Sequence, residues 1–269
     1  MKDIRIAAVT AACPVGKIEA NLSAMEDAVR RSASGGAALV CFPELNMTGY
    51  CNRPEMAAAA LFLSGPEVEA AARMAETYRI VILAGMAEKG DAGRVYASHL
   101  VLTPEGEIGV YRKVHVAPPE RSTFSAGNQI PVFDAAGIRF GVQLCYDAHF
   151  PELSAAMAAK GAEVIFIPHA SPRGEAEEKH LSWMRHLPAR AFDNSVFIVA
   201  ANQTGENCNG LTFPGNIVVL DPSGEVIGKD LSGQEGILFA DLKQEALERV
   251  RGHEMRYFFP NRRPELYTS

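Results

Sequence analysis

The stretch GVQLCYDAHFPEL, residues 141–153, decides the fold because its character changes in the middle. Gly141–Leu144 continue an apolar run that begins near Ile138, Tyr146 and Asp147 read as a turn, and Phe150-Pro151 open a helix. Proline fits the first helical turn, where no intrahelical N–H is needed, and fits poorly deeper in. A buried strand that turns sharply into a helix is one repeating half-unit of an α/β protein. Cys145 stands at the junction, and taken alone it reads as a small core hydrophobe, since free cysteine is among the most buried residue types.

On both sides the pattern continues. IRIAAVTA, ALVCF and RIVILAGMAE read as strands, as do about 138–145, 163–167 and 195–201. IEANLSAMEDAVRRSA and GPEVEAAARMAETY read as helices, the first with Leu22, Met25, Ala28 and Val29 on one face and its charges elsewhere. Further helices are expected at about 151–160 and, as one long element, at about 176–193. VYASHLVLTPEGEIGVYRKVHV and NIVVLDPSGEVIGKD are hairpins, turning at Pro104-Glu105-Gly106 and at Asp221-Pro222-Ser223-Gly224, so the sheets are expected to be mixed. Neither a linker nor an internal repeat interrupts the 269 residues, and one domain, 1–269, is expected. The irregular, aromatic and arginine-rich tail, about 252–269, is expected to pack at a subunit interface.

A net charge of -6 with no basic stripe argues against nucleic acid or an anionic membrane surface and favours a small-molecule partner. No apolar run approaches the roughly 20 residues of a membrane span, and the N-terminus reads as no signal peptide, so a cytoplasmic protein is expected. Cys13, Cys41, Cys51, Cys145 and Cys208 lack CxxC spacing, which suggests free thiols and neither a disulfide framework nor a zinc site.

Strands of α/β folds deliver their C-terminal ends to the ligand crevice. Three polar residues stand at such junctions: Glu44 after ALVCFP, Lys113 in IGVYRKVHV, and Cys145. Singly, Glu44 reads as a helix cap or solvated carboxylate and Lys113 as a hairpin lysine. Together they supply a thiol, a base for its proton and a cation for a thiolate or oxyanion, the parts of an acyl-transfer site. Competing readings are a Cys-His hydrolase using His115, His149 or His169, a metal centre built on Glu177 and His180, and a binding protein without chemistry. The Glu177/His180 pair, lacking a partner motif, reads most simply as a polar helix face.

FPEL with TGY around Glu44, YRKVHVAPPERSTFSAGN around Lys113 and CYDAHFPEL around Cys145 resemble the three signature regions of the nitrilase superfamily of carbon-nitrogen hydrolases. The resemblance continues in order through LPARAFDNSVFIVAANQTG, the GLTFPGNIVVLDPSGEVI hairpin and RRPELY, and favours the amidase and carbamoylase branches. It implies a four-layer α-β-β-α sandwich with mixed β-sheets and subunits paired as a homodimer or higher oligomer. By position it makes Glu44 the general base, Cys145 the nucleophile, Lys113 the cationic stabiliser and Glu120 a second, orienting glutamate, with the backbone N–H of Tyr146 facing the oxyanion. The implied reaction cleaves a small amide or N-carbamoyl compound through a cysteine thioester, with no metal or organic cofactor; a nitrilase and an acyltransferase remain alternatives. Substrate contacts are expected from Tyr50, Tyr146, His149, His169 and Arg173. Many relatives place arginine where this chain has His149. Arg173 either pairs with a substrate carboxylate or with Glu175 or Glu177.

Overall fold

A computed structural model describes residues 1–267; the last two residues of the tail, 268 and 269, lie outside the described residues. Two six-stranded sheets form the centre. The first runs, in spatial order, Gly236–Leu242, Ile4–Thr10, Leu39–Cys41, Val81–Lys89, Val95–Leu102 and Ile108–Arg112. The second runs Val226–Asp230, Ile217–Leu220, Phe197–Asn202, Val164–His169, Ile138–Val142 and Phe133–Ala135. In each, three neighbouring strands are parallel and the flanking strands antiparallel, so both sheets are mixed as expected.

The strands are apolar on both faces because each face meets a different layer. On the first strand Ile4, Ile6 and Ala8 join a core between the sheets with Ile165, Ile167, Ile198, Ala200 and Val218. Ala7 and Val9, which alternation turns the other way, join Met25, Val29, Val68 and Met74 of helices Ile18–Ser34 and Pro66–Tyr78. Helices Pro151–Ala159 and Leu187–Asn194 cover the outer face of the second sheet. The order is therefore α-β-β-α. Full burial of each Val, Leu or Ile contributes about 1.5–3 kcal/mol, so the two-faced strands account for much of the stability.

Two local expectations are corrected. The long helix over 176–193 is two helices, Ala176–Trp183 and Leu187–Asn194: Pro188 has no N–H to bond to the preceding turn, so it sits in the first turn of the second helix, and the chain breaks at His186, whose φ of -137° is not helical. The strand expected to reach Cys145 ends at Val142, and Cys145–His149 form a short 3-10 turn.

Sheet geometry places the chemistry. Leu39–Cys41, Ile138–Val142 and Val164–His169 run parallel within their sheets and end just before Glu44, Cys145 and Ala170. Lys113 directly follows the edge strand Ile108–Arg112. The turn after Glu44 lies flat on the neighbouring strand: the Gly85 N–H donates to Asn46 Oδ1 at 2.7 Å, and a Cβ on Gly85 would stand 2.3 Å from the Leu45 nitrogen. Glycine is required there by close approach.

Candidate active site

Glu44, Lys113 and Glu120 are buried together between the sheets. The Lys113 ammonium donates to Glu44 Oε1 at 2.9 Å and to Glu120 Oε2 at 2.9 Å and Oε1 at 3.2 Å. The other oxygen of Glu44 accepts the Ala170 N–H at 2.9 Å, and the Glu44 carbonyl accepts Gln203 Nε2 at 2.7 Å. Glu120 is fixed by the Tyr50 hydroxyl at 2.8 Å and the Ala117 N–H at 3.1 Å. Strands from both sheets thus converge on one carboxylate.

Cys145, half-buried, begins its 3-10 turn with a φ of 45°, a left-handed conformation that costs a β-carbon residue roughly 1–3 kcal/mol. The surroundings hold it there. Asp147 Oδ2 accepts the Tyr111 hydroxyl at 2.7 Å and the Leu144 N–H at 2.9 Å, while Oδ1 takes the His115 N–H at 2.8 Å and faces His115 Nδ1 at 2.9 Å. From the far side Arg190 Nε reaches the Ala148 carbonyl at 3.0 Å and its Nη2 the His149 carbonyl at 3.2 Å. Tyr146 follows in the first turn, where amide N–H groups have no acceptor within the helix.

The carbon-nitrogen hydrolase family model matches residues 5–252. The chain belongs to that family. It is a carbon-nitrogen hydrolase by kinship. An (R)-stereoselective amidase of a Pseudomonas species is 34% identical over 77% of this chain and 73% of its own, and a nitrilase of Pyrococcus abyssi is 32% identical over 92% of both. A solved mutant of a Nesterenkonia amidase superposes with a TM-score of 0.82 at 28% identity, covering 98% of this chain and 95% of its own. That structure shows covalent addition of the acetamide moiety of fluoroacetamide at its active-site cysteine.

Burial sets the electrostatics of the hydrolase. Two carboxylates share one ammonium, so the cluster is short of positive charge. Burial pushes Glu44 up to about 7, with Lys113 opposing and Glu120 adding to the rise. Burial pulls Lys113 down, but Glu44 and Glu120 more than offset it and hold the ammonium above its usual range. Burial and then Glu44 raise the Cys145 thiol against the pull of Lys113, so the resting sulfur is a thiol. The charges acting most strongly on that sulfur belong to Glu44, Lys113, Glu120 and Lys179.

The other expected site residues are placed unevenly. Tyr50 spends its hydroxyl on Glu120, Tyr146 packs edge-on against Phe150, and His149 is exposed with its ring 4.6 Å from His186. His169 is buried with its ring centroid 4.2 Å from that of Trp183. Arg173 lies on the loop after His169, but its side chain is exposed and pairs with neither Glu175 nor Glu177 among the described residues. Glu177 is exposed, His180 is buried three residues on, and among the described residues no group of acidic, histidine or cysteine side chains could hold a metal.

Sequence reasoning passed over Asp147, Tyr111, Arg190, Gln203 and Lys179. Asp147 alone left a signal: an acidic residue three positions past the start of a turn can reach back to its free N–H groups. Asp147→Asn keeps the volume but sets an amide NH2 against a donor. A loss of about 1–3 kcal/mol is expected in urea unfolding, together with a lower kcat as the turn relaxes. Wild-type stability in that variant contradicts the bracing role.

Proposed function

We propose that the enzyme hydrolyses small amides or N-carbamoyl compounds with Cys145 as nucleophile. The supporting observation is the buried Glu44-Lys113-Glu120 cluster set beside a strained, braced cysteine. Because the sulfur rests as a thiol, it needs a base at the moment of attack, and Glu44 is ionised enough near neutrality to take the proton. Attack forms the S–C bond and places negative charge on the carbonyl oxygen, which Lys113 and the Tyr146 N–H stabilise. Collapse breaks the C–N bond as Glu44 returns its proton to the departing nitrogen. Amine or ammonia leaves, and a thioester remains on Cys145. Glu44 then draws a proton from water, the hydroxide oxygen attacks the thioester, and acid departs as the proton returns to sulfur. Glu120, held by Tyr50, keeps Lys113 in place.

Support for an amide comes from the relatives: the Pseudomonas protein is named an amidase, and the Nesterenkonia enzyme holds an amide-derived group on its cysteine. Ammonia release from short-chain amides, ω-amides of dicarboxylates, N-carbamoyl compounds and nitriles tests the reading. Turnover is expected with amides or N-carbamoyl compounds, and turnover of nitriles alone overturns it.

A pH dependence follows from Glu44. Its carboxylate must be ionised to act, and burial places that ionisation at about 7. The logarithm of kcat/KM is therefore expected to rise with pH up to about 7 and flatten above it, roughly tenfold lower per unit below. An acid limb near 4.5, the ordinary carboxylate value, contradicts this assignment.

We also place the tail at a subunit interface. Met255, Phe258, Leu266 and Tyr267 are exposed large apolar residues gathered in one segment, with Phe258 5.4 Å from Phe192 on an outer helix. Sedimentation of a dimer or higher oligomer, weakened by Phe258→Glu, supports this; a monomer refutes it. Free cysteines and a thiol nucleophile suit the reducing cytoplasm, the compartment we propose. No helix among the described residues is long and apolar enough to cross a membrane.

A further inference from the structure

Lys179 has no role in the mechanism above, yet it stands within the same construction. It lies on helix Ala176–Trp183, half-buried, and its ammonium donates to Ser171 Oγ at 2.9 Å and to the Pro172 carbonyl at 3.3 Å. Ser171 is itself clamped: its N–H donates to Asn202 Oδ1 at 2.9 Å, and its carbonyl accepts Asn202 Nδ2 at 3.0 Å. The preceding residue, Ala170, holds the Glu44 carboxylate. Lys179 is thus tied through three consecutive loop residues to the proton acceptor of the reaction.

Both oxygens it contacts are neutral. Among the described residues no carboxylate lies within ion-pair distance of Lys179. A partly desolvated ammonium without a counter-charge is costly, and burial accordingly lowers its pKa. Within reach of its charge is a second unmet group: His169, the last residue of the strand before this loop, is buried with neither ring nitrogen hydrogen-bonded. Burial holds that imidazole neutral, leaving it one N–H to donate. An unpaired cation and an orphaned buried donor at one strand end are complementary to an anion with two oxygens.

We infer that Lys179, together with His169, receives a carboxylate carried by the substrate, so that this enzyme acts on amides bearing a second, anionic group. The inference rests on the amidase reading above. It moves the carboxylate-binding role from Arg173, whose side chain is exposed, to a lysine ten residues past the strand end. Charge balance favours it: Glu44 and Glu120 already outnumber Lys113, and an anionic substrate entering beside them needs a further cation.

The test uses the Cys145→Ala protein, in which ligands bind without turning over. Isothermal titration calorimetry compares succinamate with butyramide, which differ by a carboxylate in place of a methyl on the acyl half. It also compares N-carbamoyl-β-alanine with N-propylurea, which differ in the same way on the amine half. The charged member of one pair is expected to bind at least about tenfold tighter, and that pair says which half carries the anion. Lys179→Met is expected to remove the advantage and Lys179→Arg to keep most of it. Should Lys179→Met fail to fold, Lys179→Gln, which can keep the bond to Ser171, replaces it. Equal binding within both pairs, or an advantage that survives loss of the ammonium, overturns the inference. Failure of the underlying reading is separate: it appears as wild-type enzyme that releases neither ammonia nor amine from any of the four compounds.

Discussion

Lys113→Met is expected to destabilise the protein by about 3–5 kcal/mol at pH 8, because it leaves two buried carboxylates facing each other without their shared cation. The side chain is 1% exposed and its ammonium is the bridge between Glu44 and Glu120, so water cannot replace it without opening the sheets. The loss should shrink as pH falls. Protonation removes the repulsion, and the first proton enters more readily once Lys113 no longer holds Glu44 down. Urea unfolding of variant and wild type at pH 8 and pH 5.5 measures this difference. Activity is expected to fall at least about 100-fold even where the variant is folded, since the charge opposite the developing oxyanion is gone. Lys113→Arg, which keeps the charge but not the shape, should recover stability more than rate. Stability equal to wild type at pH 8 contradicts the shared-cation account.

The second large effect concerns rate alone. Cys145→Ala removes the sulfur we propose as the nucleophile, and hydrolysis is expected to drop at least about 10,000-fold. The melting temperature should move little. The change deletes one sulfur from a half-buried position, and alanine suffers the same left-handed backbone strain as cysteine at a φ of 45°. Ammonia release and thermal unfolding on the same preparation check both halves of the prediction. Activity above a few per cent of wild type rules out Cys145 as nucleophile. In the intact enzyme, acid quenching during turnover should leave an acyl mass increment on Cys145, absent from the variant.

The two effects differ because the residues are built in differently. Lys113 has a structural role beside its proposed chemical one, since it is the shared cation of two buried carboxylates. Cys145 is held by others, chiefly Asp147, Tyr111 and Arg190, and contributes little to holding them.

Much of this molecule was legible in one dimension. Periodicity located the strands and the outer helices because a two-faced strand needs apolar residues at every position and a covering helix needs them every three or four. The two hairpins announced themselves through Pro104-Glu105-Gly106 and Asp221-Pro222-Ser223-Gly224, and both sheets proved mixed for that reason. Glu44, Lys113, Glu120 and Cys145 could be singled out by position at strand ends and by motif. Pro188 carried a signal that was overlooked, and it divides the long helix.

The amino-acid sequence by itself determined the element order, the α/β class with mixed sheets and which side chains stand at the strand ends, all properties of short windows of chain, while the four layers were what the family resemblance implied. Tertiary structure alone decided what those side chains do to one another. The Lys113-Glu44 bond spans 69 residues and the Ala170-Glu44 bond 126, distances over which no local pattern specifies a contact. The strand order of the first sheet brings Lys113 to Glu44, and the packing of the second sheet against the first brings the Ala170 N–H; together they exclude the water that would keep Glu44 an ordinary carboxylate. The same packing distinguishes Arg173, which faces solvent, from Lys179, which is half-buried and, among the described residues, has no carboxylate partner. Sequence position cannot separate two cations six residues apart; burial can, because it changes what an unpaired charge costs.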